Sequence, residues 1–595
     1  MTTPHASPIA ALIAYYRRLA DDPGQGVAPF GYSRQKISFR VVIEPRGEPF
    51  AIEDARQQVG KRLAPQLLVV PGQSKPPGQG INPCLLWDNA GYMLGFSTDD
   101  AKAERTARAF EAFRQRHLDL ASQIDDEQFA AVCRFLERWD PANVTQVQGH
   151  ELLEELAGGG FGVFQVRGQP GHVHERPAVK AYWQQQLDAR GDDADGPAAQ
   201  SLVSGRIAPL ARLHEPKIKG VTGGQSAGGV LVGFNEDAYT SYGKTQSYNA
   251  PVAEDEAFEY ATALNRLLAD DTHRVRLGDA TVVFWSERPN AMESVLSAIL
   301  GGDAPVDKDA EDPALTQRVA GFLDALRRGR PDEGIDEPDA AFYILGLSPN
   351  AARVSVRFWL SGTVGEFAQR LAEHVRNLEM MGARDDRPLT VARLLRETGR
   401  EAKDIPPQLA GEVGRAILTG ANYPMALMTA VLRRVRADQN MNHPRAATLK
   451  ACLIRNHQME DVPVALNKDH PEPAYHMGRL FAALEKTQQD AMPGLNKTIK
   501  DGYFATASTT PAAVFPRLIR LHQHHIEKLE GGLKVNRERL IQEICGHLDQ
   551  FPAHLPIERQ GMFHIGYYHQ RQDFFTKREA DDQPQAPSEE EPANV

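Results

Sequence analysis

Cysteine is scarce in this chain. Cys84, Cys133, Cys452 and Cys545 are the only four in 595 residues, and no two form a CxxC pair. That excludes a disulfide framework and a cysteine-built zinc site, and leaves buried reduced thiols. No run of about 18 apolar residues occurs, and the first residues carry no apolar secretory core. The expectation is a soluble, cytoplasmic chain with no membrane partner. A catalytic constellation is also missing. "GQSAG" at 224–228 has the G-x-S-x-G form. A nucleophile elbow, however, needs a strand before its serine and a helix after it, and here the glycine-rich run precedes the strand-like "GVLVGF". "AYTSYGKT" at 238–245 matches the end of a phosphate loop but has Ala238 in place of the first glycine, two tyrosines, and Pro251 soon after. Without that glycine the amides do not turn inward, which argues against ATP binding. "HVHE" at 172–175 has no further ligand set in the neighbouring sequence. In "HQHH" at 522–525 only His522 falls on an apolar stripe. Packed or solvated histidines are expected there, with no metal. No catalytic residue and no cofactor is expected.

Positive charge is short overall, with a net −11, but unevenly so. Segments 188–195, 303–312, 332–339 and 579–591 hold 20 acidic residues against two basic ones. Removing their −18 from the chain's −11 leaves +7 for the rest. These segments read as solvated linkers and a disordered tail, and the folded body can still present basic grooves.

What is present is a change of pattern along the chain. Residues 8–20 space Ile9, Leu12, Ile13 and Tyr16 as a helix does. Ile37, Phe39, Val41 and Ile43 alternate as in a strand, and Pro45-Arg46-Gly47 turns it into a hairpin. "QLLVV" and "CLLWDNAGYMLGF" read as further strands, and helical patterns follow near 100–118 and 126–139. "GFGVFQVRG" is strand-like, a helix is expected near 254–269, and "TVVFWS", "AFYILGL" and "RVSVRFWL" read as strands. From about 363 the pattern is helical. The stripes Phe515, Leu518, Ile519, His522, Ile526, Leu529 and Leu540, Ile541, Ile544, Leu548, Phe551 are expected to be bundle core. The fold class expected is α+β multidomain: a mixed α/β N-terminal region followed by a helical-bundle C-terminal region.

Two stretches have the composition of a binding surface. "VVPGQSKPPGQGINPCLLWDN" (69–89) is a stiff loop with one charge, Lys75, and the amide side chains Gln73, Gln79 and Asn82 beside Ser74. Amides can donate to and accept from base edges in a groove while a lysine holds phosphate. The stretch 217–268 combines Lys217, Lys219 and Lys244 with glycines, Gln225, Ser226, Gln246, Asn249 and interleaved tyrosines. Lysine supplies a point charge for phosphate, glycine exposes backbone N–H, and tyrosine can stack on a base. Composition alone leaves a structural glycine-rich turn region as the equal alternative.

Three stretches together resemble one family, the large subunit of the type I-C CRISPR interference complex (Cascade): "LIAYYRR…FRVVI" (12–43), "LLVVPGQSKPPGQGINPCLLWDNAGYMLGF" (67–96) and 217–268. "GMFHIGYYHQRQDFF" (561–575) is similar to the C-terminal end of the same family. The resemblance implies a non-catalytic DNA reader. In such complexes guide RNA reads sequence by pairing, while the large subunit reads a short protospacer-adjacent motif (PAM) in the duplex, helps open it and holds the displaced strand. The partners implied are crRNA, target double-stranded DNA and its displaced strand, Cascade backbone and crRNA-processing subunits, small-subunit copies, and a helicase-nuclease. The domains expected are 1–302, for PAM recognition and guide-RNA docking; 303–340, an acidic linker with one helix; 341–476, a hairpin and helices; 477–578, a small-subunit-like bundle; and 579–595, an acidic tail. Met477, in "HMGRLFAALEKTQ", is placed to serve as an internal translation start. Residues 477–578 hold 14 basic against 10 acidic side chains, suited to a nucleic-acid path. Two other readings stand beside this one, a hydrolase using Ser226 and a purely structural scaffold.

Overall fold

The structure, a computed structural model, describes residues 7–22, 27–59, 62–72, 80–156, 159–192, 197–301, 321, 325, 337–383 and 389–575. The expected helix within 303–340, most of the acidic segments, and the tail lie outside the described residues. The first helix, α1 (Pro8–Ala20), opens on Ser7, whose side chain accepts from the Ala10 N–H. It does not join the sheet that follows in sequence. It packs instead on a helix some 240 residues later.

The first sheet is built on one long strand, β1 (Tyr32–Ile43). β2 (Pro49–Asp54) pairs antiparallel with its second half. A small ribbon, β3 (Gln57–Val59) with β4 (Arg62–Ala64), follows. β5 (Gln66–Pro71) pairs with the first half of β1, and β6 (Trp87–Asp88) lies at the far edge. α2 (Ala90–Leu94), α3 (Ala103–Asp119), α4 (Glu127–Arg138) and α5 (Glu151–Glu155) come next. β7 (Phe161–Val166) then inserts parallel to β1, and α6 (Pro177–Asp192) closes the unit. Phe39, Val41 and Ile43 face α3 and α4 across a core that includes Phe113, Phe129 and Phe135. Ile37 breaks the expected alternation and joins a separate cluster with Val70, Cys84, Trp87 and Val163. The cause is a bulge: the β1–β7 register shifts between Ile37 and Phe39, and a bulge re-aims the side chains beyond it.

The strand expected over "CLLWDNAGYMLGF" is corrected. Only Trp87 and Asp88 pair. Asn89 then caps α2, its side chain accepting from the Tyr92 N–H, and Gly95 at φ +71° ends the helix.

After a second ribbon, β8 (Ala198–Gln200) with β9 (Ile207–Pro209), come α7 (Glu254–Leu268), β10 (Arg274–Leu277), β11 (Ala280–Ser286), α8 (Met292–Leu300), β12 (Ala341–Asn350) and β13 (Arg353–Thr363). The four strands form an antiparallel meander in the order β10-β11-β12-β13. One face, with Val283, Trp285, Leu345 and Leu347, is covered by α1 and α7. The other, with Val282, Phe284, Phe342 and Ile344, faces α8 and opens into the C-terminal core. Both faces are apolar because both are covered, and β11 is buried along its whole length.

That core continues through α9 (Val364–Leu378), α10 (Val391–Arg396), α11 (Pro407–Thr419), α12 (Met425–Asp438), α13 (His443–His457), α14 (Pro473–Ala491), α15 (Ile499–Ala507), α16 (Pro511–Ile526), α17 (Gly531–Cys545) and α18 (Ile557–Asp573). α18 is its axis: every residue from 561 to 570 is buried, against α12, α13 and α14. Of the two expected stripes, the first is buried except for half-buried Ile519. In the second only Ile544 is fully buried, so α17 packs on the outside. The molecule is thus α+β, with a mixed α/β N-terminal region and a helical C-terminal region. The expected 303–340 division falls between two paired neighbours, β11 and β12. Residue 477 lies inside α14.

Candidate nucleic-acid interface

Of the five side chains expected to read DNA from the first loop, Gln73, Ser74, Lys75 and Gln79 lie outside the described residues. Asn82 is half-buried, and its backbone N–H donates to the Tyr92 hydroxyl at 3.4 Å. Both roots of the loop are fixed. On entry, the Gly72 N–H donates to the Gly31 carbonyl at 2.8 Å, and Trp87 Nε1 donates to the Pro71 carbonyl at 2.9 Å. On exit, Arg116 reaches the Pro83 carbonyl, and the Cys84 N–H donates to the buried Asp88 carboxylate at 3.1 Å. Leu86, at φ +64°, donates its N–H to Nε2 of His117 at 2.9 Å. The other His117 nitrogen, Nδ1, donates to the Phe113 carbonyl at 2.7 Å. Burial holds His117 neutral, its pKa lowered to about 4, the form in which Nε2 can accept.

The second segment forms two turns on a common frame. Ile218 points into the core and bridges Gly229, so Lys217 and Lys219 both face outward and are exposed. Asn265 of α7 clamps this stretch. Its Oδ1 accepts from the Lys219 N–H at 2.8 Å, and its Nδ2 donates to the Lys217 carbonyl at 2.9 Å. Gly228, at φ +86°, sits between the two lysine stems where a Cβ would crowd both. Gln225 and Ser226 are exposed at the tip. Val230 then docks on the β12–β13 turn, donating its N–H to the Ala352 carbonyl at 3.1 Å and accepting from the Val354 N–H at 2.9 Å.

The other turn spans 235–249. Tyr242 (φ +52°) and Gly243 (φ +71°) form a two-residue turn between Ser241 and Lys244. Tyr242 is 98% exposed. Asn249 fills the loop from within: its Oδ1 accepts from the Ser241 N–H, and its Nδ2 donates to the carbonyls of Lys244 and Gln246, all at 2.9 Å. Its amide is therefore engaged inside the protein. Gln246 is half-buried, its Oε1 accepting from Arg212 at 3.0 Å. Lys244 is exposed.

Arg353 ties the two turns together. It lines the shallow depression shared by Gly224, Gln225 and Gly229, reaches the Asn235 side chain, and lies over the Tyr239 ring at 4.9 Å. Neither Arg353 nor Asn265 stood out in the sequence, because their partners are distant along the chain. The exposed basic row Arg517, Arg520, His524 and Lys528, along α16 and the turn after it, was equally hidden. Its signal was the spacing of three and four complementary to the apolar stripe.

Around Ser226 the structure has turns and isolated bridges, with no strand before it and no helix after it. His525 is buried along with His522, although only His522 falls on the apolar stripe. Met477 is 1% exposed within the core. No helix of the described residues is long and apolar enough to cross a membrane.

A family model described as CRISPR-associated protein (Cas_Csd1) matches residues 12–575. No curated protein matches the chain.

Proposed function

Given that the chain belongs to the Cas_Csd1 family of CRISPR-associated proteins, and so works in a complex with crRNA, we propose that it is the large, PAM-reading subunit of a type I-C Cascade. In this reading it recognises the motif in double-stranded DNA, promotes duplex opening and R-loop formation, holds the displaced strand, and supports recruitment of a helicase-nuclease. Backbone and crRNA-processing subunits and small-subunit copies are its neighbours. It breaks no bond itself.

One observation carries the reading. The two turns at 217–229 and 235–249 share one frame, joined through Arg353, and present Lys217, Lys219, Gln225 and Lys244 outward. Rigid turns with free lysines suit phosphate, since little order is lost when they bind. Tyr242, held out on its turn, offers a ring for an unstacked base, a contact worth about 1–3 kcal/mol. The fixed roots of the 72–82 loop serve the same end: a base-reading segment discriminates only if its registration is set. The basic row on α16 suits a displaced strand.

The test is electrophoretic mobility shift of the assembled complex on duplexes with a library of flanking motifs, at several salt concentrations. Lys217→Ala, Lys219→Ala and Lys244→Ala are each expected to weaken binding across all motifs and reduce the salt slope by about 1. Gln73→Ala, Lys75→Ala, Gln79→Ala and Asn82→Ala are expected to alter motif preference, with each good base contact worth about 1–3 kcal/mol. Unchanged salt slopes together with unchanged motif preference would leave a structural scaffold as the better reading. Turnover of an ester probe lost in Ser226→Ala would establish the hydrolase.

A further inference from the structure

The "HVHE" stretch, expected to hold only solvated or packed histidines, folds into a three-ligand cluster. It lies on a single 3-10 turn, Val173–Glu175, between β7 and α6, and packs against β5, β7 and α6. Glu175 folds back on the start of the turn. Its Oε2 accepts from the His172 N–H at 2.7 Å and from His172 Nδ1 at 3.2 Å. The rings of His172 and His174 stack at 5.5 Å, 16° from parallel. One ligand atom from each of His172, His174 and Glu175 lies within 4.8 Å of the other two. His174 is 2% exposed. The Val69 backbone approaches one side of its ring, and neither ring nitrogen makes a well-aligned hydrogen bond among the described residues.

An unpaired buried polar atom costs about 1–3 kcal/mol; with Val69 able to serve one ring nitrogen of His174, the other keeps a lone pair that no described residue engages. A lone pair beside a second imidazole and a carboxylate is the donor set of a borderline divalent cation. With metal–ligand bonds of about 2.0–2.1 Å, neighbouring ligand atoms in a tetrahedral site stand about 3.3 Å apart. The His172–Glu175 pair already has that spacing, at 3.2 Å. The half-exposed Glu175 leaves a side open through which an ion and a water can enter.

We propose that His172, His174 and Glu175 bind a single zinc ion, with water as the fourth ligand. The ion would join the turn to the sheet beside β5, the strand from which the 72–82 segment leaves at Pro71. The proposal is independent of the DNA-reading role, because it rests on this cluster alone.

The experiment uses the full chain, stripped with a chelator, and zinc alone as the probe. Bound zinc is counted after dialysis, Co2+ is followed by its visible d–d bands, and melting is measured with and without zinc. Expected are one zinc per chain, tetrahedral Co2+ bands, and a melting temperature raised by zinc. His172→Ala, at a largely buried side chain, and Glu175→Gln, at a half-exposed one, are expected to weaken binding at least about tenfold and to abolish the melting shift. His524→Ala serves as the control for the other histidine cluster and is expected to leave zinc stoichiometry, the Co2+ bands and the melting shift unchanged. Absence of stoichiometric zinc, bands that survive both cluster variants, or binding lost in His524→Ala would each overturn the assignment.

Discussion

At the scale of single residues, the interior is notable for histidine. His117, His214, His374, His476, His564 and His569 are buried, and burial lowers each pKa to about 3 or 4. In the unfolded chain they titrate near 6.5. The unfolded state therefore binds more protons below that point, and stability present above about pH 6.5 is lost as pH falls towards 4. His273 has the opposite sign. Burial opposes its charge, but hydrogen bonds to Asp270 and Glu293 prevail and raise it to about 9. Its contribution is complete below about 6.5 and is lost as pH rises through 9. Melting temperature is thus expected to peak near neutrality and to fall more steeply on the acid side, where six groups act against one. An equal melting temperature at about pH 7 and about pH 5 would contradict this. At this scale the sequence was legible in chemistry and not in assignment. Lys217, Lys219 and Lys244 could be picked out as exposed cations by type. Asn249 looked like an equal candidate, but its amide braces its own loop, a partnership that exists only once the turn closes. Arg353 could not be found at all, because Asn235 and Tyr239 lie more than 100 positions away.

At the scale of elements, the closest packing is where α14 crosses α18. Gly478 sits against the Phe563 carbonyl and Gly566 against the Tyr475 carbonyl, so that a methyl at either position would run into backbone. Around the crossing, Tyr475 hydrogen-bonds His569 Nδ1 at 2.9 Å and Tyr567 donates to Glu485 at 2.7 Å. Gly566→Ala is expected to cost about 3 kcal/mol, the upper end of overpacking, because backbone has to give way; Gly502→Ala, in α15 with nothing near it, should cost far less. Chemical denaturation of both variants decides this, and equal midpoints would mean that the helices do not cross so closely. Most elements were readable from period and turn residues. The exceptions each had a local cause that a periodicity count does not contain: a bulge that splits Ile37 from Phe39, an asparagine cap that makes α2 from apparent strand, and an outer helix, α17, whose stripe is only half covered.

At the scale of the whole molecule, the sequence indicated the order of regions but not how they join. α1 opens the chain yet packs on α7, and α18, near its end, is the axis of the helical core. A product starting at Met477 would lack α12 and α13, which cover α18 here, and would need another surface to take their place. Composition shifts mark where a chain changes character. They do not mark where a core ends, and the acidic 303–340 stretch is the case in point, since the strands on either side of it lie edge to edge. The connection of that sheet therefore does not depend on covalent continuity through the stretch. Two separate polypeptides, 1–302 and 337–595, made together, are expected to find each other, zip β11 to β12 through the Thr281–Ser286 register, and elute as one particle with nearly the melting temperature of the intact chain. If the halves instead purify apart, the tether is needed for assembly. If they hold together, the molecule carries a natural port at which a reporter or a foreign domain can be spliced without disturbing the surfaces on either side.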